Sequence, residues 1–115
     1  MQLFGEAELL RIYIGEDDRC QGRPLAEVIV ERARRQGLAG ATVLRGLMGF
    51  GATSVVHTSK ILRLSADLPL VVEIVDTIEK IKEFLPWLHG VIGEGLVTLE
   101  TVRVFAYRHN PDRQS

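Results

Sequence analysis

Residues 69–85 read PLVVEIVDTIEKIKEFL, and the spacing of the apolar side chains changes within this stretch. The run from Pro69 to Val75 is rich in β-branched residues, which is typical of a strand. From Ile78 onward the apolar residues recur every three or four positions, as they do along one face of a helix. Asp76 and Glu79 resemble a capping box, so we expect the helix to open at Asp76. The stretch therefore predicts a strand that runs directly into a helix.

The N-terminal part of the chain shows the same succession of a strand and a helix. Ala7 to Ile14 alternates between two sets of side chains, which predicts a strand with two differently buried faces. Pro24 suits the first turn of a helix, because its missing N–H would be unpaired there. Apolar residues at helical spacing follow as far as Ala33, and Gly37 supplies a C-terminal stop.

Two further strands are expected, one after each helix. Ala41 to Leu47 predicts the first of them, and Leu96 to Tyr107 predicts a long final strand. Residues 52–67, which are polar at first and then mixed, predict a long loop, with a ribbon of its own as the alternative. Pro86 has no backbone N–H, so we expect it to kink the second helix or to restart it.

The resulting order, β-α-β-β-α-β, predicts an α+β fold of the ferredoxin-like class, a double split βαβ arrangement. In this fold an antiparallel sheet carries both helices on one face. The strands supply apolar residues on both faces, more than one covered face needs; these are Val43, Val72, Ile74, Val97, Leu99 and Val102. The uncovered face and the edge strands therefore predict an oligomer.

Length and composition limit the classes of function. The 115 residues suit one domain over residues 1–115, with a frayed tail at residues 110–115. A net charge of −1 argues against a nucleic-acid-binding protein. The single cysteine, Cys20, excludes an intramolecular disulfide and a cysteine-based zinc cage. With no signal-like N-terminal run and no apolar stretch long enough to span a bilayer, a cytoplasmic location is expected.

The charges are unevenly distributed along the chain. Residues 19–63 carry eight basic and two acidic groups, and the tail at residues 101–115 carries three basic groups and one acidic group. The intervening and N-terminal segments are net acidic. If the two basic segments meet in space, the protein presents one positive surface, and solvated charge on several faces is the alternative.

Several segments resemble the PII signalling superfamily, and most fully its small branch of PII-like proteins, the domain of unknown function family 190. The segments that carry the resemblance are residues 38–43 leading to Gly49-Phe50-Gly51, His57-Thr58, Leu68-Pro69 before residues 72–75, and Gly93-Glu94-Gly95. They resemble the second PII strand and its exit, the borders of the T-loop and the third strand, and the B-loop. The likeness to the smaller branch runs from Leu10 to Glu100.

The resemblance implies a non-catalytic signalling protein that forms a homotrimer. In PII proteins the clefts between neighbouring subunits bind ATP or ADP, and the T-loop, here residues 52–67, acts on a target membrane transporter or enzyme. Glycines would bring backbone N–H groups close to phosphate, and basic side chains would neutralise its charge. The candidate nucleotide-binding residues are Gly49, Gly51, Lys60, Gly93, Glu94, Gly95, Arg45, Arg103 and Arg108.

Three positions depart from the PII pattern. Leu96 stands where PII has the B-loop lysine that binds phosphate, and Ile61 stands where some PII proteins have a tyrosine that is uridylylated. Pro86 interrupts a helix that is unbroken in PII. The ligand therefore stays open between an adenine nucleotide, another small anion and none.

Two other classes of function remain as alternatives. A metal-binding trimer of the divalent-cation-tolerance type (CutA) would need clustered ligands, whereas His57, His89 and His109 are scattered. A small ferredoxin-fold enzyme such as an acylphosphatase would need an anion-binding loop after the first strand. The chain has Glu16-Asp17-Asp18 at that place, although Arg19 and Arg23 follow. The sequence therefore assigns no catalytic and no metal-binding residue.

Two smaller features have mainly structural interpretations. Arg32, Arg34 and Arg35 are interpreted as charges that complement the C-terminal end of the first helix. Trp87, beside Phe84, is interpreted as a hydrophobic contact of the second helix, with a subunit or partner interface as the alternative.

Overall fold

The computed structural model describes residues 5–51 and 67–109, which form a four-stranded sheet, a short hairpin and two helices. In chain order the elements are β1 (Gly5–Gly15), β2 (Arg19–Cys20), β3 (Arg23–Pro24), α1 (Leu25–Arg35), β4 (Thr42–Arg45), β5 (Pro69–Asp76), α2 (Ile78–Val91) and β6 (Leu96–Val104). The hairpin of β2 and β3 occupies the acidic connection after the first strand, where the sequence shows no strand signal.

The four-stranded sheet has the order β4-β5-β1-β6, and every pair of neighbouring strands is antiparallel. Leu10 in the middle of β1 lies opposite Ile74 of β5 on one side and Leu99 of β6 on the other. Central strands β1 and β5 thus separate the two edge strands, as in the ferredoxin-like class. The predicted fold is confirmed.

Both helices pack on the same face of the sheet. The alternation along β1 places Leu10, Ile12 and Ile14 beneath them, and Val72 and Ile74 of β5 lie beside these residues. The helices contribute the rest of the core, which consists of Leu25, Ala26, Ile29, Ala33, Ile81, Phe84 and Leu88. Burial of these side chains is the main favourable term in folding, at about 1.5–3 kcal/mol for each large one.

The first helix begins and ends close to its expected bounds. Pro24 precedes α1 as its N-cap residue and also belongs to β3, so it lies just before the first turn. At the other end Gly37 has φ +84, a left-handed conformation that glycine adopts without strain. The backbone N–H of Leu38 then donates to the carbonyl of Ala33 at 3.0 Å, which closes the helix end.

The expected start of the second helix is wrong by one residue. Thr77, not Asp76, is the N-cap, and its hydroxyl accepts a hydrogen bond from the backbone N–H of Lys80. Asp76 is fully buried and accepts from the backbone N–H of Ala39 at 2.8 Å and of Thr77 at 2.7 Å. Its carboxylate therefore joins the loop after α1 to the start of α2, which is a tertiary contact that no local pattern reveals.

Three other expectations need adjustment. α2 is continuous from Ile78 to Val91, so Pro86 does not restart it. β4 stops at Arg45 rather than Leu47, because Arg45 pairs with Leu70 and the partner strand β5 begins only one residue earlier, at Pro69. β6 stops at Val104 rather than Tyr107, and Val104 lies opposite Gly5, the first described residue of β1. The expectation for residues 52–67 lies almost wholly outside the described residues.

A bidentate ion pair braces the hairpin against α1 and carries a pH prediction. The guanidinium of Arg23 donates to both carboxylate oxygens of Glu31, at 2.9 and 2.6 Å, and this hydrogen bonding lowers the pKa of Glu31. A carboxylate with a lowered pKa stabilises the fold above its ordinary pKa, near 4.5, and loses that contribution as the pH falls further. We expect Glu31→Gln to lower the melting temperature slightly at pH 7 and to match the wild type at pH 3. A constant difference across this range would contradict the assignment.

None of the helices within the two described ranges has the length and apolar character needed to cross a membrane.

Candidate functional site

The candidate glycines lie at one end of the sheet but at its two opposite edges. Gly49 and Gly51 follow the C-terminal end of β4, and Gly93 to Gly95 precede the N-terminal end of β6. Because neighbouring strands are antiparallel, the end of β4 and the beginning of β6 lie at the same end of the sheet. β5 and β1 lie between them, which separates the two edges by roughly 14 Å. One subunit therefore does not bring the two glycine segments together.

The turn after β4 packs closely against the first residue of β5. A Cβ on Gly46 would come within 2.7 Å of Pro69 Cγ, and one on Gly49 within 3.0 Å of the same atom. The need for glycine at these positions is thus explained by packing. A Cβ on Gly51 would have no atom within 4 Å among the described residues, so packing there does not require glycine.

The turn before β6 shows the same contrast. Gly95 has φ +151, and a Cβ there would lie 2.6 Å from the backbone oxygen of Tyr13, so both conformation and packing require glycine. Gly93 is open, because a Cβ added there would have no described atom within 4 Å. Glu94 between them is exposed. Gly51 and Gly93 are therefore the positions where the backbone is open to a ligand.

Arg45 already has a partner at the end of β4. Its Nε lies 2.9 Å from Oε2 of Glu16 in the acidic loop after β1. The backbone N–H of Glu16 donates to the carbonyl of Leu68, and that of Asp17 donates to Oδ1 of Asp67. The acidic loop is thus fastened beside both the exit from β4 and the entrance to β5, and it offsets part of the charge that Arg45 would offer an anion.

Arg103 and Arg108 lie at the other end of the same subunit. Arg103 is opposite Glu6 near the start of β1, seven residues along β6 from Leu96, or roughly 24 Å. Tyr107, just before Arg108, donates its hydroxyl to the carbonyl of Ala39 at 2.8 Å. Within one subunit these arginines are not beside the open glycines. The Tyr107 contact does bring the basic tail to the loop that follows the basic end of α1.

The remaining candidates fall outside the described residues. Lys60, His57 and Ile61 all lie in residues 52–66. Within residues 5–51 and 67–109, no group of three or more His, Cys, Asp or Glu side chains is placed to hold a metal ion.

A charged cluster on the uncovered face of the sheet is not evident from the sequence. Arg11 of β1 points away from the helices and bridges two neighbouring strands. Its Nε lies 3.0 Å from Oε2 of Glu73 on β5, and its Nη1 lies 3.1 Å from Oε1 of Glu100 on β6. Glu73 lies directly opposite Arg11 on β5. On β6 the residue opposite Arg11 is Thr98, and Glu100 lies two residues beyond it. The correct strand order and register would therefore have revealed the cluster.

Apolar side chains surround this cluster and continue onto both edge strands. On the uncovered face, Leu9, Tyr13, Val71 and Val75 lie around Arg11. At the edges, exposed apolar residues occur on both faces of each strand: Val43 and Leu44 on β4, and Leu96, Val97 and Leu99 on β6. Both edges and the uncovered face are therefore apolar surfaces that the described part of one subunit does not cover.

This arrangement of sheet and helices is found in solved PII-like proteins. The apo form of CPII from Thiomonas intermedia K12, a nitrogen regulatory PII-like protein, superposes with a TM-score of 0.60 at 14% identity, covering 90% of this chain and 97% of that one. CPII bound to ADP and bicarbonate superposes with a TM-score of 0.60 at 17% identity, covering 90% and 91%. The fold is that of the PII-like superfamily, as the sequence segments indicate.

The family model DUF190, described as "Uncharacterized ACR, COG1993", matches residues 7–104. The chain belongs to this family. A UPF0166 protein of Aquifex aeolicus is 45% identical over 97 residues, covering 84% of this chain and 91% of the relative. A UPF0166 protein of Methanocaldococcus jannaschii is 37% identical over 101 residues, covering 87% and 93%.

Proposed function

We propose that this protein is a non-catalytic PII-like regulator that binds an adenine nucleotide between subunits of a homotrimer. The cleft forms where the β4 edge of one subunit meets the β6 edge of the next. Gly51 of one subunit and Gly93 of its neighbour then offer backbone N–H groups to the phosphates. Residues 52–67, which follow the turn after β4 in the chain, act on a partner, a membrane transporter or an enzyme.

The placement of the open glycines carries this proposal. Gly51 and Gly93 occupy the same end of the sheet but opposite edges of it. A ligand as small as a nucleotide contacts both when a second copy supplies the other edge. A head-to-tail contact of this kind joins two different surfaces, and it builds a closed ring when the rotation between successive copies closes. The number three comes from the resemblance to PII proteins.

The exposed apolar residues support the same contact. Val43 and Leu44 are 41% and 49% exposed on β4, and Leu96 and Leu99 are 56% and 47% exposed on β6. In each pair one side chain points to either face of its strand, so an edge neighbour would cover residues on both faces at once. Burying these edges and the uncovered face removes apolar surface from water at about 25 cal/mol per Å².

The solved neighbours support a nucleotide as the ligand. CPII is described in complex with ADP and bicarbonate, and also with ADP, AMP and acetate. In the proposed cleft, Arg45 and Lys60 would face the phosphates from the β4 side. Glu94 would lie on the β6 side, with Gly49 and Gly95 shaping the two turns. Arg103 and Arg108 would contribute only if a further contact between subunits brought them to the cleft, because in every copy they lie at the end of the sheet away from Gly51 and Gly93.

Nucleotide binding is tested by calorimetry with ATP, ADP, AMP and cyclic nucleotides, together with thermal unfolding in their presence. A ligand at one hundred times its Kd stabilises the folded state by about 2.7 kcal/mol, so we expect a clear rise in melting temperature with at least one of them. The absence of both heat and stabilisation for the whole panel would overturn the nucleotide proposal.

The shared cleft predicts complementation between two variants. Gly51→Val and Gly93→Val both add a side chain where no described atom lies within 4 Å of the Cβ, so both should fold and assemble. Each homotrimer should bind the nucleotide at least about tenfold more weakly than the wild type, a loss of about 1.4 kcal/mol. Gly40→Val, at an equally open position in the loop before β4, is the matched control and should bind normally.

Trimers made by unfolding and refolding a mixture of the two variants should regain binding. Each mixed ring contains about one cleft in which Gly51 and Gly93 are both intact, because the two glycines come from adjacent subunits. We therefore expect a tight-binding stoichiometry of about one site per mixed trimer, measured by titration. A mixture that binds as weakly as the separate variants would show that the two glycines do not share an inter-subunit site.

A further inference from the structure

A shallow depression of about 240 Å³ lies on the outer side of the helix layer and is lined by Arg32, Arg35 and Gln36. We call it the helix pocket. It is on the opposite side of the molecule from the uncovered sheet face, since both helices cover the other face. Assembly through the uncovered face would therefore leave it open, and the glycine turns are not among its lining residues.

Arg32 is held in place by two groups in the helix pocket. Its guanidinium carbon lies 5.1 Å from the centre of the Trp87 ring, a cation–π distance, and its Nε donates to Oε1 of Gln36 at 3.0 Å. Gln36 is itself fixed, because its Nε2 donates to the carbonyl of Glu83 on α2. A side chain that is already ordered loses less entropy when a ligand binds. Among the described residues, the two terminal nitrogens of Arg32 have no hydrogen-bond partner.

The positive charge of the helix pocket is not paired within the described residues. Arg11, Arg23 and Arg45 each have a carboxylate within 4 Å. Neither Arg32 nor Arg35 has such a partner among the described carboxylates. Alongside the hydrogen bond from Arg23, Arg35 is close enough to Glu31 to help lower the pKa of that carboxyl, but neither guanidinium group has a described carboxylate in direct contact. Two guanidinium groups that line one depression are an arrangement that recognises phosphate and carboxylate groups.

The C-terminal end of α1 would oppose an anion if its carbonyl groups were free, because it carries a partial negative charge. Three of the last four carbonyls of α1 are occupied. Those of Arg32, Ala33 and Arg34 accept from the backbone N–H groups of residues 36–38, and that of Gly37 accepts from Nζ of Lys80 at 2.9 Å. The ammonium group of Lys80 also adds positive charge at this helix end.

We propose that the helix pocket is an anion site for a phosphate-sized oxyanion, separate from the nucleotide cleft. Its volume is below the roughly 300–1,000 Å³ of sites for drug-sized ligands, which favours a small ion over a nucleotide. Two arginines together match the charge of about −1.5 to −2 that a phosphate group carries near pH 7. A bound phosphate would bridge the two arginines, one of which is anchored to α2 through Trp87.

The test uses the full-length protein and inorganic phosphate as the probe. Trp87 is the only tryptophan, and Arg32 stacks on it, so an anion on Arg32 should change its fluorescence. We expect a saturable change on addition of sodium phosphate at constant ionic strength, and no saturable change with acetate or chloride. Arg35→Gln should weaken the apparent affinity at least about tenfold without altering the contacts of Trp87.

Arg34→Gln is the matched control, since it removes the same charge from the adjacent residue, which is exposed but does not line the pocket. It should bind phosphate nearly as well as the wild type. Arg32→Gln, followed by calorimetry because its own fluorescence will differ, should abolish binding. Equal losses in Arg34→Gln and Arg35→Gln would mean diffuse attraction to a basic surface and would overturn the proposal. An equal response to phosphate, acetate and chloride would overturn it as well.

Discussion

Arg11→Met is expected to convert the proposed trimer into single subunits of 12.8 kDa. Arg11 bridges Glu73 and Glu100 at 3.0 and 3.1 Å in the centre of the uncovered sheet face, and hydrogen bonding to Glu73 raises its pKa. It is therefore charged at every pH at which the protein is handled. In the proposed trimer this face is withdrawn from water. Without Arg11, each subunit would bury two carboxylates that lack a cation, which is far more costly than leaving them in solvent.

The measurement is the molar mass by light scattering or sedimentation at micromolar concentration, with circular dichroism to establish that the subunit stays folded. The matched variant removes the whole cluster, by Arg11→Met, Glu73→Gln and Glu100→Gln together. We expect it to reassemble, because no unpaired charge remains to be buried. An Arg11→Met protein that keeps three times the subunit mass would contradict burial of this face.

Substitution of Leu44 provides a second test of whether the uncovered face is buried. Leu44 is 49% exposed on β4 and points to this face. Leu44→Asp should also lower the mass to that of one subunit, whereas Leu44→Met, which keeps the apolar volume, should not. Because Leu44 takes no part in the ion pairs of Arg11, agreement between the two experiments would distinguish burial of the face from an effect of those ion pairs alone.

Asp76→Ala is expected to cause the largest loss of folding stability among single polar substitutions in the described residues. Asp76 is 0% exposed and accepts two backbone hydrogen bonds, from Ala39 at 2.8 Å and Thr77 at 2.7 Å. Removing the carboxylate leaves two backbone donors without their acceptor, each at a cost of about 1–3 kcal/mol. We expect the free energy of unfolding to fall by about 2–4 kcal/mol, measured by urea denaturation at fixed protein concentration.

Two control variants distinguish the contribution of the tertiary contact of Asp76 to stability from that of the helix cap. Thr77→Ala removes the N-cap hydroxyl that accepts from Lys80 and should cost only about 1 kcal/mol. Asp76→Asn keeps one oxygen acceptor in the same place and should fall between the two. If Asp76→Ala cost no more than Thr77→Ala, the carboxylate would be acting as a simple local cap, as the sequence pattern suggests.

The strands of the four-stranded sheet and both helices can be predicted because each has a local signal, whereas the hairpin of β2 and β3 has none. Alternating side chains in β1, the β-branched run in β5 and the three-to-four spacing in α2 depend only on neighbouring residues. Gly37 is recognisable as a helix stop because its positive φ is a local requirement. The end of β4 cannot be predicted in this way, since a strand ends where its partner ends, and the partner is distant in sequence.

The candidate site can be predicted in part. The resemblance to PII proteins draws attention to both glycine turns, and the structure places them at the same end of the sheet. It also shows that the glycines within each turn differ in role. Close packing requires glycine at positions 46, 49 and 95, whereas Gly51 and Gly93 have no described atom within 4 Å of an added Cβ. Local sequence contains no measure of these distances. The same limit applies to Arg32 and Trp87, which lie 55 residues apart and meet only because the helices pack side by side.

The sequence by itself determined the order of strands and helices, the apolar faces that bury them, and membership in a family with a PII-like fold. These follow from periodicity and residue type, which act over a few positions. Only the tertiary structure decided which charges meet: Arg45 with Glu16, Arg11 with Glu73 and Glu100, and Arg32 with Trp87 but with no described carboxylate. Charged side chains gain or lose partners according to strand order and helix packing, and electrostatic energy depends on separation in space.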